Sequence, residues 1–460
     1  MGLMPVTDAA FLLAERRERP MHVGGLQLFA PPDDVHPSYV GDLVRESLDV
    51  LPDDIHPLFR RRPFRSLGTF GQWFWNDDAE IDLEYHVRHS ALPPPGRIRE
   101  LLALVSQLHG SLLDRNRPLW EGHLIEGLDD GRFAVYTKIH HAMVDGVAAM
   151  QILQDALTDD PDARDVPPPW AMKRRGSRRT VVPPSPVQVA LGALRGAGQL
   201  AGVGPVFWRT VREAQREQAA TIPFQAPRTI FNQSITGARR FAAQSWPLER
   251  VKAIGKASGT SLNDVVLAMC SGALRQYLLE LDALPDQPLV SMVPVSLRTA
   301  DDDARDAGNA VGVILCNLAT DLDDAGQRLK MINESMAHGK STLKQLSPLQ
   351  VVALSAMAMT PMIAAPLYGP GRVLPPPFNL VISNVPGPRK PLYWNGARLE
   401  GVYPVSIPSD GQALNITVTS YVNNLEFGLI GCRQKVPHLQ RLLAMLGESL
   451  DDLEQAVGIA

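Results

Sequence analysis

The run FAVYTKIHHAMVDG, Phe133 to Gly146, changes character along its length. It opens as a strand, rich in β-branched and aromatic residues from Phe133 to His140. Trp120 to Glu126 has the same character, and the Asp130-Gly131 turn between the two makes them a hairpin. Beyond His141 an Ala/Val/Met-rich stretch predicts a helix. His140, His141, Asp145 and Gly146 therefore sit at a strand-to-helix junction, where a rigid scaffold can present chemistry on a loop.

Alternation along a strand separates the two histidines. His141 shares the side of Val135 and Ile139, the more apolar one, whereas His140 shares that of Tyr136 and Lys138. The pair is badly arranged to bind one metal ion together, and none is expected. An imidazole with an ordinary pKa of ~6.5 is mostly neutral near pH 7, so His141 can take a proton from an attacking hydroxyl. His140 is assigned a supporting role. Asp145 suits a helix N-cap, or a partner for Arg298 that orients the loop, and Gly146 lets backbone pass close by.

Working outward, strands are predicted at Leu289 to Leu297, Ala310 to Leu318, Phe378 to Ile382, Leu414 to Val422 and Leu425 to Ile430. Helices are predicted at Asn263 to Leu279, Ala325 to Leu343 and His438 to Ala456. Ser261 and Asp264 have capping-box spacing. Between the halves, Asp159-Asp160-Pro161, the prolines at 167, 168 and 169, the basic run Lys173 to Arg179 and a glycine-interrupted helical stretch, Val187 to Gln218, read as an exposed connector. The expected division is residues 1–157, a linker at 158–235, and residues 236–460.

Bulk properties exclude several classes. A chain of 460 residues with 45% hydrophobic and 20% charged residues is expected to fold as two globular domains. A net charge of -4 offers no field for nucleic acid. Cys270, Cys316 and Cys432 lack the spacing of a disulfide framework or zinc site and fit a reducing cytoplasm. The N-terminus does not read as a secretory signal, and no window supplies the ~18 apolar residues of a membrane span. Any meeting with the inner membrane or a lipid droplet is expected at its surface, with the basic run as the candidate contact.

His140 to Gly146 matches HHxxxDG, the motif of CoA-dependent acyltransferases related to chloramphenicol acetyltransferase and of peptide-synthetase condensation domains. Further blocks are Arg117-Pro118-Leu119-Trp120, Asn263-Asp264-Val265-Val266, Val293 to Arg298 and Ser383-Asn384-Val385-Pro386-Gly387-Pro388. With the opening segment Asp8 to Leu28 and Gly428 to Gly431, the chain resembles the bacterial wax ester synthase/diacylglycerol acyltransferase family over nearly its whole length. The Asp-Phe-Gly block usual in condensation domains is absent.

That resemblance implies an α/β protein of two chloramphenicol-acetyltransferase-like domains, mixed sheet plus helices, with an inter-domain tunnel. It implies acyl-CoA as substrate, with no bound cofactor, and a long-chain alcohol or diacylglycerol as acceptor, wax ester being the expected main product. Candidate substrate or oxyanion residues are Asn263, Ser383, Asn384 and Glu15, the last in a tunnel although it is followed by Arg16 and Arg17. Lys252 and Lys256 are candidates for the CoA phosphates, and Met357 to Ala365 for an acyl slot. Two other readings are a non-catalytic lipid-surface binding protein and a condensation-type transferase using carrier-bound acyl groups.

Overall fold

The structure is a computed structural model that describes residues 2–33, 35–66, 68, 71–144, 146–172, 224–296, 311–345 and 375–459. Strands and helices are numbered along the chain. A small antiparallel sheet joins β1 (Gly2–Leu3), β3 (Arg61–Phe64) and β4 (Phe74–Asp77), with β4 in the middle. The same stretch of chain supplies α1 (Val6–Ala14), α2 (Tyr39–Leu48) and the single turn α3 (Leu83–His86).

The first large sheet contains β2 (His22–Ala30), β5 (Val87–Ala91), β6 (Trp120–Glu126), β7 (Phe133–His140), β12 (Tyr393–Trp394) and β13 (Ala397–Val405), in the order β12-β13-β2-β7-β6-β5. The predicted hairpin is β6–β7, with the same bounds, turned by Gly127 at φ 88° and Gly131 at φ 79°, values that suit glycine. On one face α2 packs Leu43 and Val44 over Leu124, Phe133 and Val135. On the other, α4 (Ile98–His109) packs Leu101 and Val105 against Leu26, Ile125 and Tyr136. Because both faces are covered, β7 is buried along nearly its whole length.

The second sheet contains β8 (Arg239–Pro247), β9 (Val290–Ser296), β10 (Val311–Asn317), β11 (Leu380–Val385), β14 (Leu414–Tyr421) and β15 (Asn424–Cys432). Its order is β10-β9-β11-β14-β15-β8, with β11 parallel to both neighbours. Helix α5 (Gly146–Asp155) leads away from the first sheet, and four described helices, α6 (Leu248–Ser258), α7 (Leu262–Glu280), α8 (Ala325–Lys344) and α9 (Arg441–Ala456), belong to the second. The central α7 carries buried Val265, Leu267, Leu274 and Leu278, each worth roughly 1.5–3 kcal/mol of burial. Its Ser261–Asp264 capping box is present and is worth only about 1 kcal/mol, so packing holds the helix and the cap fixes where it starts.

Two expectations need correction. The division at residue 236 does not separate the sheets, because β12 and β13 come from the second half of the chain and complete the first sheet, β13 pairing with β2 from Arg398↔Ala30 to Val405↔Gly24. The ends of the expected linker are packed, not exposed: Trp170 and Phe231 are buried, and Thr158 bridges Tyr393. Val187 to Gln218 and the basic run lie outside the described residues.

The seam between the sheets is tightest at Gly428 on β15, where a Cβ would overlap the backbone carbonyl oxygen of Pro404 on β13. Around it, Phe241 and Ile430 of the second sheet share a cluster with Leu26, Leu28 and Val405 of the first. A backbone oxygen cannot swing aside, so Gly428→Val is expected to destabilise the protein by about 1–3 kcal/mol or more, measured as a lowered urea midpoint. The same change at Gly131, where a Cβ meets open space but φ is positive, should cost less.

Candidate active site

Strand β7 ends at His140, and the chain then turns through His141 toward α5. Hydrogen bonds continue past the regular ladder: the His140 N–H donates to Leu119 O at 2.9 Å and the His141 N–H to Met21 O at 2.8 Å. The Pro118-Leu119-Trp120 block thus serves the backbone of the histidine pair, while Trp120 donates its indole N–H to Phe59 O at 2.8 Å.

His140 is fully buried. Its Nδ1 accepts the Ala142 N–H at 3.0 Å, which places the ring proton on Nε2, facing Glu15 Oε1 at 3.4 Å. That separation is an electrostatic contact longer than a good hydrogen bond. Glu15 is buried rather than at the surface. It accepts the Met21 N–H on Oε1 at 3.1 Å, and on Oε2 it takes Arg115 Nε at 3.1 Å and Nη2 at 3.0 Å. Burial alone would raise the Glu15 pKa, but His140, the Met21 amide and Arg115 outweigh it and hold the carboxyl below its ordinary value of 4.5. Glu15 therefore grips the histidine turn from beneath; the oxyanion or tunnel role read from the sequence is corrected to this one.

The opposite face of β7 opens onto an apolar slot. Ile139 and Thr137 of β7, Val23 and Gly25 of β2, Trp120 of β6 and Trp170 line its first-sheet side. Gly146, Ala149, Met150 and Leu153 of α5 roof it, and Val385 of β11 and Thr417 of β14 bring in the second sheet. Glycines make the room: a Cβ at Gly25 would press on Leu153, and one at Gly122 on Trp170. His141 stands in the turn between Ile139 and Gly146, both of which line the slot, and its ring stacks on Phe11 of α1.

Beneath β7, the face of Tyr136 and Lys138 is a closed polar network. Lys138 Nζ donates to Glu121 Oε2 at 2.9 Å and to the Leu108 and Ser111 carbonyls, both at 3.1 Å. Burial pushes the Glu121 carboxyl up, but His123, Lys138 and Arg88 bring it down to about 2. His109, pushed down to about 3 chiefly by burial, donates from Nε2 to Ser406 O at 2.9 Å and accepts the Tyr136 hydroxyl on Nδ1 at 2.7 Å. Charge on this side is satisfied internally, and Glu121, which also borders the slot, is held by Lys138.

The remaining candidates divide. Ser383 is in register with Thr417 and shares the face of Val385, so it lies on the slot side of β11. Asn384 is in register with Val418 and shares the face of Ile382, which packs into the second core, and its oxyanion assignment is withdrawn. Asn263 is half-buried in the first turn of α7, a helix that contributes nothing to the lining of the slot. Lys252 and Lys256 are exposed on α6, also away from it. A Cβ at Gly146 would meet no atom within 4 Å, so that glycine is not demanded by close packing, although it does border the slot. Asp145, Arg298 and Met357 to Ala365 lie outside the described residues.

Phe11 and Arg115 were not singled out from the sequence. A signal existed for the first: Phe11 and Glu15 are four residues apart at the end of one helix and so face the same way. Arg115 has no local signal, because its partner is remote in sequence.

Glu15→Gln keeps the shape and removes the charge. A displaced histidine turn is expected to lower kcat by about ten- to a hundredfold with KM nearly unchanged, in steady-state assays of the wild type and variant. Because the folded-state pKa of Glu15 is depressed, its contribution to stability is present above about pH 4.5 and is lost as pH falls through the depressed value. The gap between the urea midpoints of the two proteins should be constant near neutrality and close below pH 4.5.

Comparison with known proteins assigns this site a family. The wax ester synthase/diacylglycerol acyltransferase catalytic domain matches residues 3–266, and the C-terminal domain of the same family matches residues 307–454. A probable diacylglycerol O-acyltransferase of Mycobacterium tuberculosis is 53% identical over 460 residues, covering 100% of both chains. The O-acyltransferase WSD of Acinetobacter baylyi is 44% identical, over 98% of this chain and 96% of its own. The solved wax ester synthase/diacylglycerol acyltransferase of Marinobacter aquaeolei VT8 superposes with a TM-score of 0.78 at 43% identity, covering 100% of both chains. With both family domains matched in order and full-length relatives well above 30% identity, the chain belongs to the wax ester synthase/diacylglycerol acyltransferase family.

Proposed function

We propose that this acyltransferase moves a fatty acyl group from acyl-CoA directly to the hydroxyl of a diacylglycerol or long-chain alcohol, with His141 as general base. The observation that carries the proposal is the placement of His141 between Ile139 and Gly146, two borders of an apolar slot built from both sheets. A lipid tail in that slot brings its reactive end to the turn. His141 takes the hydroxyl proton, the oxygen attacks the thioester carbonyl, and a tetrahedral oxyanion forms. Collapse breaks the C–S bond, and the same imidazolium protonates the departing CoA thiolate. Ser383, on the slot side of β11, is the proposed donor to the oxyanion.

Direct attack is favoured over an acyl-enzyme. None of the three cysteines lines the slot, and burial pushes the thiols of Cys270 and Cys316 up to about 12, far from a nucleophilic thiolate. Since relatives at 53% identity are named as diacylglycerol O-acyltransferases, we take diacylglycerol as an acceptor alongside linear alcohols. No helix of the described residues is long and apolar enough to cross a membrane. We place the enzyme in the cytoplasm, drawing its lipids from the membrane surface.

The test is CoA release from palmitoyl-CoA with hexadecanol or dipalmitoylglycerol as acceptor. Acceptor-dependent release is expected, with the ester identified as product, and His141→Ala should lose at least the ~10²-fold that a general base supplies. Turnover that survives His141→Ala, or release that ignores the acceptor, would defeat the reading. Activity only with a pantetheinylated carrier protein would point to a condensation-type transferase.

Trp170 closes one wall of the slot, against Gly122 and stacked on Trp120 at 5.3 Å. Trp170→Leu should therefore move the optimum toward longer chains in one of the two substrate series. Running acyl-CoA and alcohol series on both proteins shows which tail lies there; unchanged optima in both would remove the slot as a determinant of chain length.

A further inference from the structure

We propose that Phe11 is a positioning residue for His141, fixing the plane of the imidazole through a parallel ring stack. The proposal rests on the reading of His141 as the general base. The ring centroids are 4.2 Å apart and the planes differ by 14°. His141 sits in a turn and is only partly buried, with its Nδ1 enclosed. Phe11 lies flat against one ring face and leaves Nε2, at the ring edge, to meet the hydroxyl.

The helix that carries Phe11 is itself well held. The Glu15 N–H donates to Phe11 O at 3.0 Å, closing the last turn of α1, so Phe11 addresses His141 and Glu15 addresses His140 from one side of one helix. Beyond it, Arg19 Nε donates to Ala14 O at 2.8 Å while Arg19 Nη1 pairs with Asp410 at 3.4 Å, and Arg239 Nη2 donates to Glu18 O at 3.0 Å. Asp410 and Arg239 belong to the second half of the chain, which thereby anchors the segment that aligns the base. The small cluster beneath α1 has Met4, Leu12, Leu113 and Leu119 at its buried centre, with Phe11, Trp73 and Trp75 packed against it, so the variants below have to separate ring alignment from filling.

A stacked aromatic face also favours the imidazolium that His141 becomes during proton transfer. Two consequences separate alignment from filling. Phe11→Leu, which keeps apolar volume and loses the plane, should lower kcat by about tenfold or more with KM little changed. It should also move the acid limb of the kcat/KM profile to lower pH, because the protonated ring loses its stacking partner. Phe11→Tyr, which keeps the plane, should restore both.

The experiment is steady-state kinetics across pH for the wild type, Phe11→Leu, Phe11→Tyr and His141→Gln, with ring-proton NMR of histidine-labelled wild-type enzyme. The His141 ring protons, assigned by their absence in His141→Gln, are expected upfield of the other histidines through the ring current of Phe11. Wild-type turnover in Phe11→Leu, an equal defect in Phe11→Tyr, or unshifted His141 protons would overturn the proposal. The NMR arm decides even if Phe11→Leu does not fold. Survival of activity in His141→Gln would instead defeat the general-base reading on which the proposal stands.

Discussion

A single buried carboxylate organises the centre of this protein. Glu15 has one oxygen on the Met21 amide and the other on Arg115, and the turn that presents His141 hangs from Met21 O. A buried charge is tolerated only when it is paired and hydrogen-bonded, and removing one partner of such a set typically costs about 3–5 kcal/mol. That constraint reaches outward. Arg115 must follow α4, Met21 must precede β2, and α1 must end where Glu15 can turn inward beneath His140.

The two faces of β7 then do different work because a strand alternates its side chains. One carries Lys138 and Tyr136 into a network closed by Glu121, His123 and His109, which absorbs every charge in fixed hydrogen bonds. The other carries Ile139 and Thr137 to an apolar slot, completed by Val385 and Thr417 from the second sheet. With Glu121 at its border paired to Lys138, this mostly apolar slot suits a hydrocarbon tail. The second half of the chain enters this arrangement three times: as strands β12 and β13 of the first sheet, as a wall of the slot, and as the anchor of the segment behind α1.

Much of this was legible from residues alone. The β6–β7 hairpin, the capping box at Ser261 and the long apolar helix after it depend on interactions within a few residues, so local pattern suffices. The separation of His140 from His141 followed from strand alternation for the same reason. Glu15 was assigned to a tunnel instead of to the histidine turn because its partners, Arg115 and His140, lie about a hundred residues away and only folding brings them close. Asn384 was misassigned for a related reason: its face is set by register with β14, and neighbouring residues carry no record of register.

The sequence by itself singled out the junction to which we assign the chemistry, since a strand ending in His-His and passing through Asp-Gly into a helix is written in consecutive residues, and it determined the family through motifs spread along the chain. Only the tertiary structure decided what holds that junction and what it faces. Strand exchange between the halves, the reach of Glu15 and Phe11 from α1, and the slot shared by two sheets are all contacts between residues remote in sequence. Such contacts are selected by the burial of apolar area and the pairing of buried charge over the whole molecule, and no window of residues contains them.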